Sequence, residues 1–175
     1  MESSHKIASG TLLSLSEQQL VDCSTVNYGC NGGWPEEGFN YFMTSKSMSE
    51  ASYPYTAMNG TCKYNSSATT GVYSSGNYVA ITSNNTSAMK SGVAIKPLSV
   101  YIEADAAVFQ SYKSGIFTST SCGTATNHAT NIVGWGADPI YGDYWIMRNS
   151  WGTGWGESGY MRMQLAAGAG LCGIN

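Results

Sequence analysis

The chain has 175 residues, which is enough to bury roughly 70% of its unfolded surface and to form a stable core. Only 11% of the residues are charged and the net charge is −3, so the composition offers no basic surface for nucleic acid or an anionic membrane. No apolar run approaches the roughly 20 residues that span a bilayer. Five cysteines without a C-x-x-C pair, in a Gly- and Tyr-rich chain, indicate a disulfide-bonded protein of a secreted or vesicular compartment.

The first part of the chain carries helix signals. In SLSEQQLVDC, Ser16 and Gln19 have the spacing of a capping box, which predicts that a helix begins there. In WPEEGFNYFMTSK, Pro35 stands near the first helical position and acidic residues follow it in the first turn, which predicts a second helix. From about Thr44 to Gly76 the pattern is that of a loop.

The remainder of the chain is predicted to be mainly β. Six segments are short and rich in β-branched and aromatic residues, which predicts strands: NYVAI, LSVYIEA, GIFT, NIVGWG, YWIMRNS and GYMRMQL. Between them, SAMKSGVAI and ADAAVFQSYK are predicted to form short helices. The expected fold class is therefore α+β, with a helical lobe over residues 1–76 and a β lobe over residues 77–175.

His128 is the candidate for chemistry, whereas His5 lies in a polar stretch and is interpreted as a solvated side chain. His128 and Asn149 are equidistant from a point between Asp138 and Pro139, in the connection between two predicted strands. If the strands pair about that point, the two side chains are direct cross-strand neighbours, with Cβ atoms about 4.5–5.5 Å apart. A carboxamide beside an imidazole accepts one ring N–H and leaves the other nitrogen free to act.

The sequence leaves the role of this pair open. The alternative is a structural histidine that an asparagine satisfies at a strand end, and a register shift of one residue would separate the two side chains. A nucleophile is not evident, because there is no G-x-S-x-G elbow and none of the five cysteines has an obvious claim. A metal site has little support, because neither C-x-x-C nor H-x-x-x-H occurs.

Five segments in order, LSLSEQQLVDCS, YGCNGGWP, YPY, NHATNIVGWG and NSWGTGWGESGYMRM, resemble the papain-like cysteine peptidases of the papain and cathepsin L group. The resemblance covers nearly the whole chain, and its last segment is long and highly specific. It implies the papain fold, with a helical left lobe, a β-barrel-like right lobe and substrate bound between them. It also implies that the chain is a fragment that lacks the first half of the family's central helix.

The resemblance implies roles for individual residues. His128 matches the imidazole that pairs with the nucleophilic cysteine, Asn149 matches the asparagine that orients it, and Trp151 matches the indole that shields their contact, with Trp155 beside it. Tyr101 falls where the family has a small apolar residue in a specificity pocket, so the pocket is expected to be shallower or to offer a hydroxyl. The full set matched to substrate binding is Gly32, Gly33, Trp34, Pro35, Tyr101, Ala129 and Trp151.

The resemblance also implies the cysteine pairing, which is Cys23 with Cys62 and Cys122 with Cys172. Cys30 stays unpaired, because its partner in the family lies in a C-G-S/A-C-W/Y segment that this sequence lacks. The same segment carries the nucleophilic cysteine, and a glutamine of the oxyanion hole precedes it.

The implied function is a cysteine-type endopeptidase that acts through an acyl-enzyme and needs no cofactor or metal, and this chain alone is expected to be inactive. The expected partners are a polypeptide substrate and a propeptide or protein inhibitor, with a monomeric full-length protein in a lysosome, in a vacuole or outside the cell. Two alternatives remain, a non-catalytic papain-like module that binds peptides or acts as a scaffold and a structural secreted protein.

Overall fold

The structure is a computed structural model that describes residues 1–69 and 78–175. The chain divides into two compact units, Met1–Val79 and Ala80–Asn175. The predicted lobe boundary at residues 76 and 77 lies outside the described residues. No helix in the described part of the chain is both long enough and apolar enough to cross a membrane.

Over its described residues, 1–69 and 78–79, the first unit contains three short α-helices joined by irregular segments. Within residues 45–69 the structure has isolated bridges and one turn of 3-10 helix, as expected for the predicted loop. The elements of the unit are α1 (Glu2–Ser9), α2 (Glu17–Cys23) and α3 (Pro35–Thr44), with 3-10 turns at Gly29–Asn31 and Ser66–Ala68. Pro35 occupies the first turn of α3, where its missing N–H costs no hydrogen bond.

The predicted capping box at the start of α2 forms only in part. The Ser16 hydroxyl accepts a hydrogen bond from the Gln19 N–H at 3.0 Å and caps the helix. The Gln19 side chain does not reach back to Ser16 but is fully buried and turns to another segment. Its Nε2 donates to Lys46 O at 3.0 Å, and its Oε1 accepts from Met48 N at 2.7 Å. A buried carboxamide needs partners for both ends, and this segment supplies both.

The second unit is built on a five-stranded sheet in the order β1-β3-β4-β5-β2. All neighbours are antiparallel except β2 and β5, which are parallel. The strands are β1 (Leu98–Ile102), β2 (Ile116–Phe117), β3 (His128–Asp138), β4 (Gly142–Arg148) and β5 (Tyr160–Gln164), with helices α4 (Thr86–Val93) and α5 (Ala107–Gln110) and a 3-10 turn at Leu171–Gly173. Helices and an extended sheet confirm the predicted α+β class.

Two predicted elements differ from the structure. The NYVAI segment forms no strand over its described residues 78–81, so that prediction was wrong there. Its β-branched residues favour a strand only where a partner strand is available. The helix predicted over ADAAVFQSYK shortens to the four residues of α5.

One face of the sheet carries the core of the second unit. Alternate residues of the central strands point to this face, so the sheet buries a continuous apolar layer against the helices and loops. Its members that are fully shielded from solvent are Ile102, Phe109, Ile132, Trp145, Met147, Met161 and Met163. His128 shares the alternation of Ile132 on β3 and so extends from the edge of this layer.

Candidate active site

His128 and Asn149 lie at the ends of two adjacent strands. His128 is the first residue of β3 and pairs with Ile102 of β1, and Asn149 directly follows the last residue of β4. His128 Nε2 lies 2.9 Å from Asn149 Oδ1, although the two residues are 21 positions apart in the chain. Asn149 is only 8% exposed, so solvent competes little for this hydrogen bond.

The strands that carry the two residues do not pair in the predicted register. Asp138 pairs with Gly142, so the hairpin is centred on Ile140 and not between Asp138 and the next residue. Continued unchanged, this register would place the side chains of His128 and Asn149 on opposite faces of the sheet, because residues alternate between faces along each strand. The predicted direct pairing of these two residues was therefore wrong.

A β-bulge returns the two side chains to one face. The register shifts between Ile132 and Gly134, where Val133 is the extra residue of β3. Beyond the bulge Asn131 pairs with Arg148, a shift of one residue relative to the hairpin end. With this shift the imidazole and the carboxamide become diagonal cross-strand neighbours on the same face, within the reach of long side chains.

The backbone next to Asn149 determines which ring nitrogen carries a proton. Asn149 Oδ1 also accepts a hydrogen bond from the Ser150 N–H at 2.8 Å. A backbone N–H can only donate, so the carboxamide atom it meets is the oxygen. His128 Nε2 must then be the protonated nitrogen, which leaves Nδ1 of the neutral ring with a free lone pair. The geometry therefore prepares Nδ1 to accept a proton.

An aromatic cluster supports the imidazole. The Trp151 indole stacks on the His128 ring with centroids 5.3 Å apart and an interplanar angle of 29°. Behind it, Phe109 and Trp155 make edge contacts with Trp151 at centroid distances of 5.6 and 5.4 Å. Trp155 Nε1 donates to Gln110 O at 3.1 Å, which anchors the cluster to α5. The indole covers one face of the imidazole, and this contact limits rotation of the His128 ring.

The segment that follows Asn149 is tied to the sheet by a carboxylate. Glu157 accepts hydrogen bonds from the Gly115 N–H at 2.8 Å and from Arg162 Nε and Nη2 at 2.9 and 2.7 Å. The hydrogen bonds from Arg162 hold the pKa of Glu157 below its usual value. The Asn149 N–H donates to Gly159 O at 2.9 Å. The segment between Asn149 and β5 is therefore held at its start by the hydrogen bond to Gly159 O and near its end by the hydrogen bonds of Glu157.

Gly32, Gly33, Trp34 and Pro35 form one short connection in the first unit. Gly32 O accepts from the Tyr28 N–H at 2.9 Å, and the Trp34 N–H donates to Asn27 Oδ1 at 2.8 Å. A Cβ atom at Gly33 would overlap the Asn27 side chain, so the close approach of that side chain requires glycine. Trp34 is 53% exposed.

Tyr101 and Ala129 lie directly opposite each other on β1 and β3. They therefore share one face of the sheet, which by strand alternation is the face opposite to that of His128 and Thr130. Glu103, which follows β1, accepts hydrogen bonds from the N–H groups of Gly123 and Ala125 at 2.7 and 2.8 Å and so fixes a loop.

Comparison with known proteins identifies the family. The sequence model of the family described as papain family cysteine protease matches residues 1–175. Zingipain-1 of Zingiber officinale is 44% identical over 177 aligned residues, which cover 99% of this chain and 78% of zingipain-1. The chain belongs to the papain family of cysteine proteases. Ananain of Ananas comosus is 42% identical, and there the chain spans 50% of the relative's length.

Solved structures of papain-family proteases share the fold. The Carica candamarcensis cysteine protease CMS1MS2 in complex with E-64 has a TM-score of 0.87 at 40% identity, covering 99% of this chain and 79% of that chain. The proform of the ragweed pollen allergen Amb a 11, a cysteine protease, has a TM-score of 0.91 at 36% identity, covering 99% and 53%. The papain-like fold that the sequence predicted is thereby confirmed. Because these relatives are proteases, the comparisons do not favour a non-catalytic scaffold.

All five cysteines of this papain-family chain lie in the described residues. Cys23 is bonded to Cys62 and Cys122 to Cys172, while Cys30 is a free, exposed thiol. The Cys30 N–H donates to Asn59 Oδ1 at 2.7 Å. Over residues 1–69 and 78–175, no group of three or more His, Cys, Asp or Glu side chains is placed to hold a metal ion.

Sequence reasoning missed two parts of the site. The Ser150 N–H that identifies the carboxamide oxygen is a backbone group, so no residue type signals it. Phe109 lies in ADAAVFQSYK, for which the sequence predicts only a short helix, yet its ring makes an edge contact with the Trp151 indole that stacks on His128. The aromatic residues of NSWGTGWG were the one available signal that such a cluster exists.

Proposed function

We propose that the chain supplies the general base and its orienting carboxamide to a cysteine-type endopeptidase that hydrolyses peptide bonds through an acyl-enzyme. The observation that supports this most strongly is the hydrogen bond from His128 Nε2 to Asn149 Oδ1 in a papain-family chain, which leaves Nδ1 free. A purely structural histidine needs no free nitrogen and no stacked indole.

In each half of the proposed reaction, His128 takes up one proton and then gives it to the leaving group. His128 Nδ1 takes the proton of a cysteine thiol, and the thiolate attacks the carbonyl carbon of the peptide. The C–N bond breaks as the imidazolium returns the proton to the leaving amine, which leaves a thioester. His128 then takes a proton from a water molecule that attacks the thioester, and the imidazolium returns that proton to the departing sulfur. A carboxylic acid and the thiol result.

Asn149 acts on the ring in every step. Its Oδ1 accepts the Nε2–H of both the neutral ring and the imidazolium, so the ring keeps one orientation while Nδ1 gains and loses its proton. The second donor on Oδ1, the Ser150 N–H, disfavours rotation of the carboxamide that would turn its NH₂ group towards the ring.

We further propose that the 175 residues are inactive by themselves. They contain no stretch of the C-G-S/A-C-W/Y type, so the attacking cysteine and the oxyanion glutamine of the family have no counterpart among them. In a catalytic unit of this kind, loss of the nucleophile alone lowers kcat by on the order of a millionfold.

The proposed substrate is a polypeptide. The resemblance assigns substrate contacts to Gly32, Gly33, Trp34 and Pro35 in the first unit, and to Tyr101, Ala129 and Trp151 in the second. A tyrosine at position 101 makes a preference for large apolar side chains less favourable. A propeptide or a protein inhibitor is the proposed further partner, the full-length protein is proposed to be monomeric, and the proposed location is a lysosome, a vacuole or the extracellular space.

The test is a single polypeptide in which the family's nucleophile-bearing segment precedes this chain. We expect it to hydrolyse a fluorogenic peptide and to be inactivated by E-64, while the 175-residue chain alone does neither. His128→Ala is expected to lower kcat by at least about a thousandfold, and Asn149→Ala by about tenfold or more. His5→Ala, which changes the other histidine of the chain, is the matched control. Equal activity of the His128 and His5 variants would refute the proposal.

A further inference from the structure

Two buried polar atoms near His128 have no hydrogen-bond partner. Among the described residues, the buried side-chain atoms without a partner are Glu50 Oε2, Thr130 Oγ1 and Asn149 Nδ2. Thr130 is 6% exposed and Asn149 is 8% exposed, so water reaches neither side chain freely. A buried donor or acceptor that stays unpaired lowers the stability of the folded state, so each of these atoms calls for a partner.

The strand register, extended by one step, sets Thr130 opposite Asn149. Asn131 and Arg148 form the last pair of the β3–β4 ladder, and Thr130 and Asn149 are the next residue of each chain segment. Asn149 still follows the line of β4, because its N–H donates to Gly159 O as the next bond of the β4–β5 ladder. Directly opposite residues share a face and have Cβ atoms about 4.5–5.5 Å apart.

The chemistry of the two atoms is complementary. Asn149 Oδ1 is committed to His128 Nε2 and to the Ser150 N–H, so the remaining Nδ2 group can only donate. A threonine hydroxyl can accept, and it reaches a neighbour by rotation about its Cα–Cβ bond or through one water molecule. His128 and Thr130 flank the carboxamide on the same face of β3, with the oxygen already turned to His128.

We propose that Thr130 is a positioning residue, whose hydroxyl accepts a hydrogen bond from Asn149 Nδ2 and thereby holds Oδ1 towards His128. A carboxamide that is hydrogen-bonded through both its oxygen and its NH₂ group resists rotation by 180°. Such a rotation would place the NH₂ group against two donors, His128 Nε2–H and the Ser150 N–H. The hydrogen bond between Asn149 and Thr130 is inferred from the fold alone, whereas its effect on catalysis rests on the proposed function.

The hydrogen bond is tested in the 175-residue chain without any activity measurement. Thr130→Val keeps the shape of the side chain and removes the hydroxyl, and Thr130→Ser keeps the hydroxyl. By NMR, we expect the Asn149 side-chain NH₂ protons to exchange with water about tenfold faster in Thr130→Val and within about twofold of the parent in Thr130→Ser. Unchanged exchange in Thr130→Val would overturn the proposal.

The sign of the stability change is a second test. If the hydroxyl is unpaired, Thr130→Val removes a buried polar group and raises the folding equilibrium constant. If the hydroxyl pairs with Asn149, Thr130→Val leaves Asn149 Nδ2 without a partner. We then expect the folding equilibrium constant, measured by urea unfolding, to fall about fivefold. A raised folding constant would overturn the proposal.

The catalytic consequence is tested in the active chimera. We expect Thr130→Val to lower kcat about three- to tenfold with KM unchanged, and Thr130→Ser to stay within about twofold. An inactive chimera combined with faster NH₂ exchange in Thr130→Val would refute the proposed function and leave the hydrogen bond supported. An active chimera with unchanged kcat and unchanged exchange in Thr130→Val would overturn the role of Thr130 alone.

Discussion

Replacing Glu157 by glutamine tests the carboxylate that anchors the segment after Asn149. Glu157 accepts one hydrogen bond from the Gly115 N–H and two from the Arg162 guanidinium. The carboxamide that Glu157→Gln introduces keeps an oxygen for Gly115 but loses the charge that attracts Arg162. We expect the free energy of unfolding to fall by about 1–2 kcal/mol at pH 7.

The magnitude follows from the exposure of the pair. Charge-assisted hydrogen bonds contribute about 1.5–3 kcal/mol each when they are shielded, whereas fully exposed ion pairs contribute about 0–1 kcal/mol. The side chains of Arg162 and Glu157 are 38% and 27% exposed, so the pair lies between these limits. The expected loss of about 1–2 kcal/mol covers the lost bond from Arg162 Nε to Oε2 and the lost charge on Oε1, which still accepts from Arg162 Nη2 and the Gly115 N–H.

The same pair predicts a pH dependence. The hydrogen bonds from Arg162 lower the pKa of Glu157 from its usual 4.5 in the folded state. A carboxyl group with a lowered folded pKa stabilises the fold above its unfolded pKa, and this contribution is lost as the pH falls through the folded pKa. The difference in stability between the parent and Glu157→Gln should therefore close as the pH falls below the usual value of 4.5.

Urea unfolding followed by tryptophan fluorescence at about pH 7 and about pH 3.5 measures both effects. Asp105→Asn is the matched control, because Asp105 is an exposed carboxylate of the same unit with no hydrogen bond or ion pair to any described residue. Its expected effect is below about 0.5 kcal/mol. A Glu157→Gln variant as stable as the control at neutral pH, or a difference that grows on acidification, would show that the reasoning is wrong.

Two further predictions concern the packing and the cysteines. Phe109→Ala removes a fully buried ring and should cost about 3–5 kcal/mol in urea unfolding, with Phe109→Leu costing less than half as much; a loss below about 1 kcal/mol would contradict the packing around Trp151. Cys62→Ser opens a bridge between residues 39 positions apart and should cost about 2–4 kcal/mol. Thiol titration of the native protein should then count two thiols instead of one, and three thiols already in the parent would contradict the pairing.

Local signals in the sequence were sufficient for much of the fold. Pro35 with two acidic residues after it, and the Ser16 cap, set the starts of α3 and α2 through contacts within one helical turn. Five of the predicted strand segments correspond to strands, because their residue types suit a half-buried pleated surface. The side chain of Gln19 was mispredicted because its partners, at Lys46 and Met48, are distant in the chain.

The register at the candidate site could not be predicted from local signals. No residue type marks Val133 as the extra residue of the bulge, which appears only as a shift in the pairing of β3 with β4. The hairpin is centred on Ile140. Without the bulge, residues counted outward from that centre would place His128 and Asn149 on opposite faces of the sheet. Thr130 was equally hidden, because a β-branched residue in a strand is expected whatever its hydroxyl does.

The central claim is that Asn149 holds the His128 ring with Nε2 protonated and Nδ1 free, and ¹⁵N NMR of the imidazole in the 175-residue chain tests it most directly. For the neutral ring, we predict the Nε2–H tautomer with a hydrogen-bonded proton that exchanges slowly with water, and loss of that protection in Asn149→Ala. A dominant Nδ1–H tautomer, or a spectrum that Asn149→Ala leaves unchanged, would contradict the account.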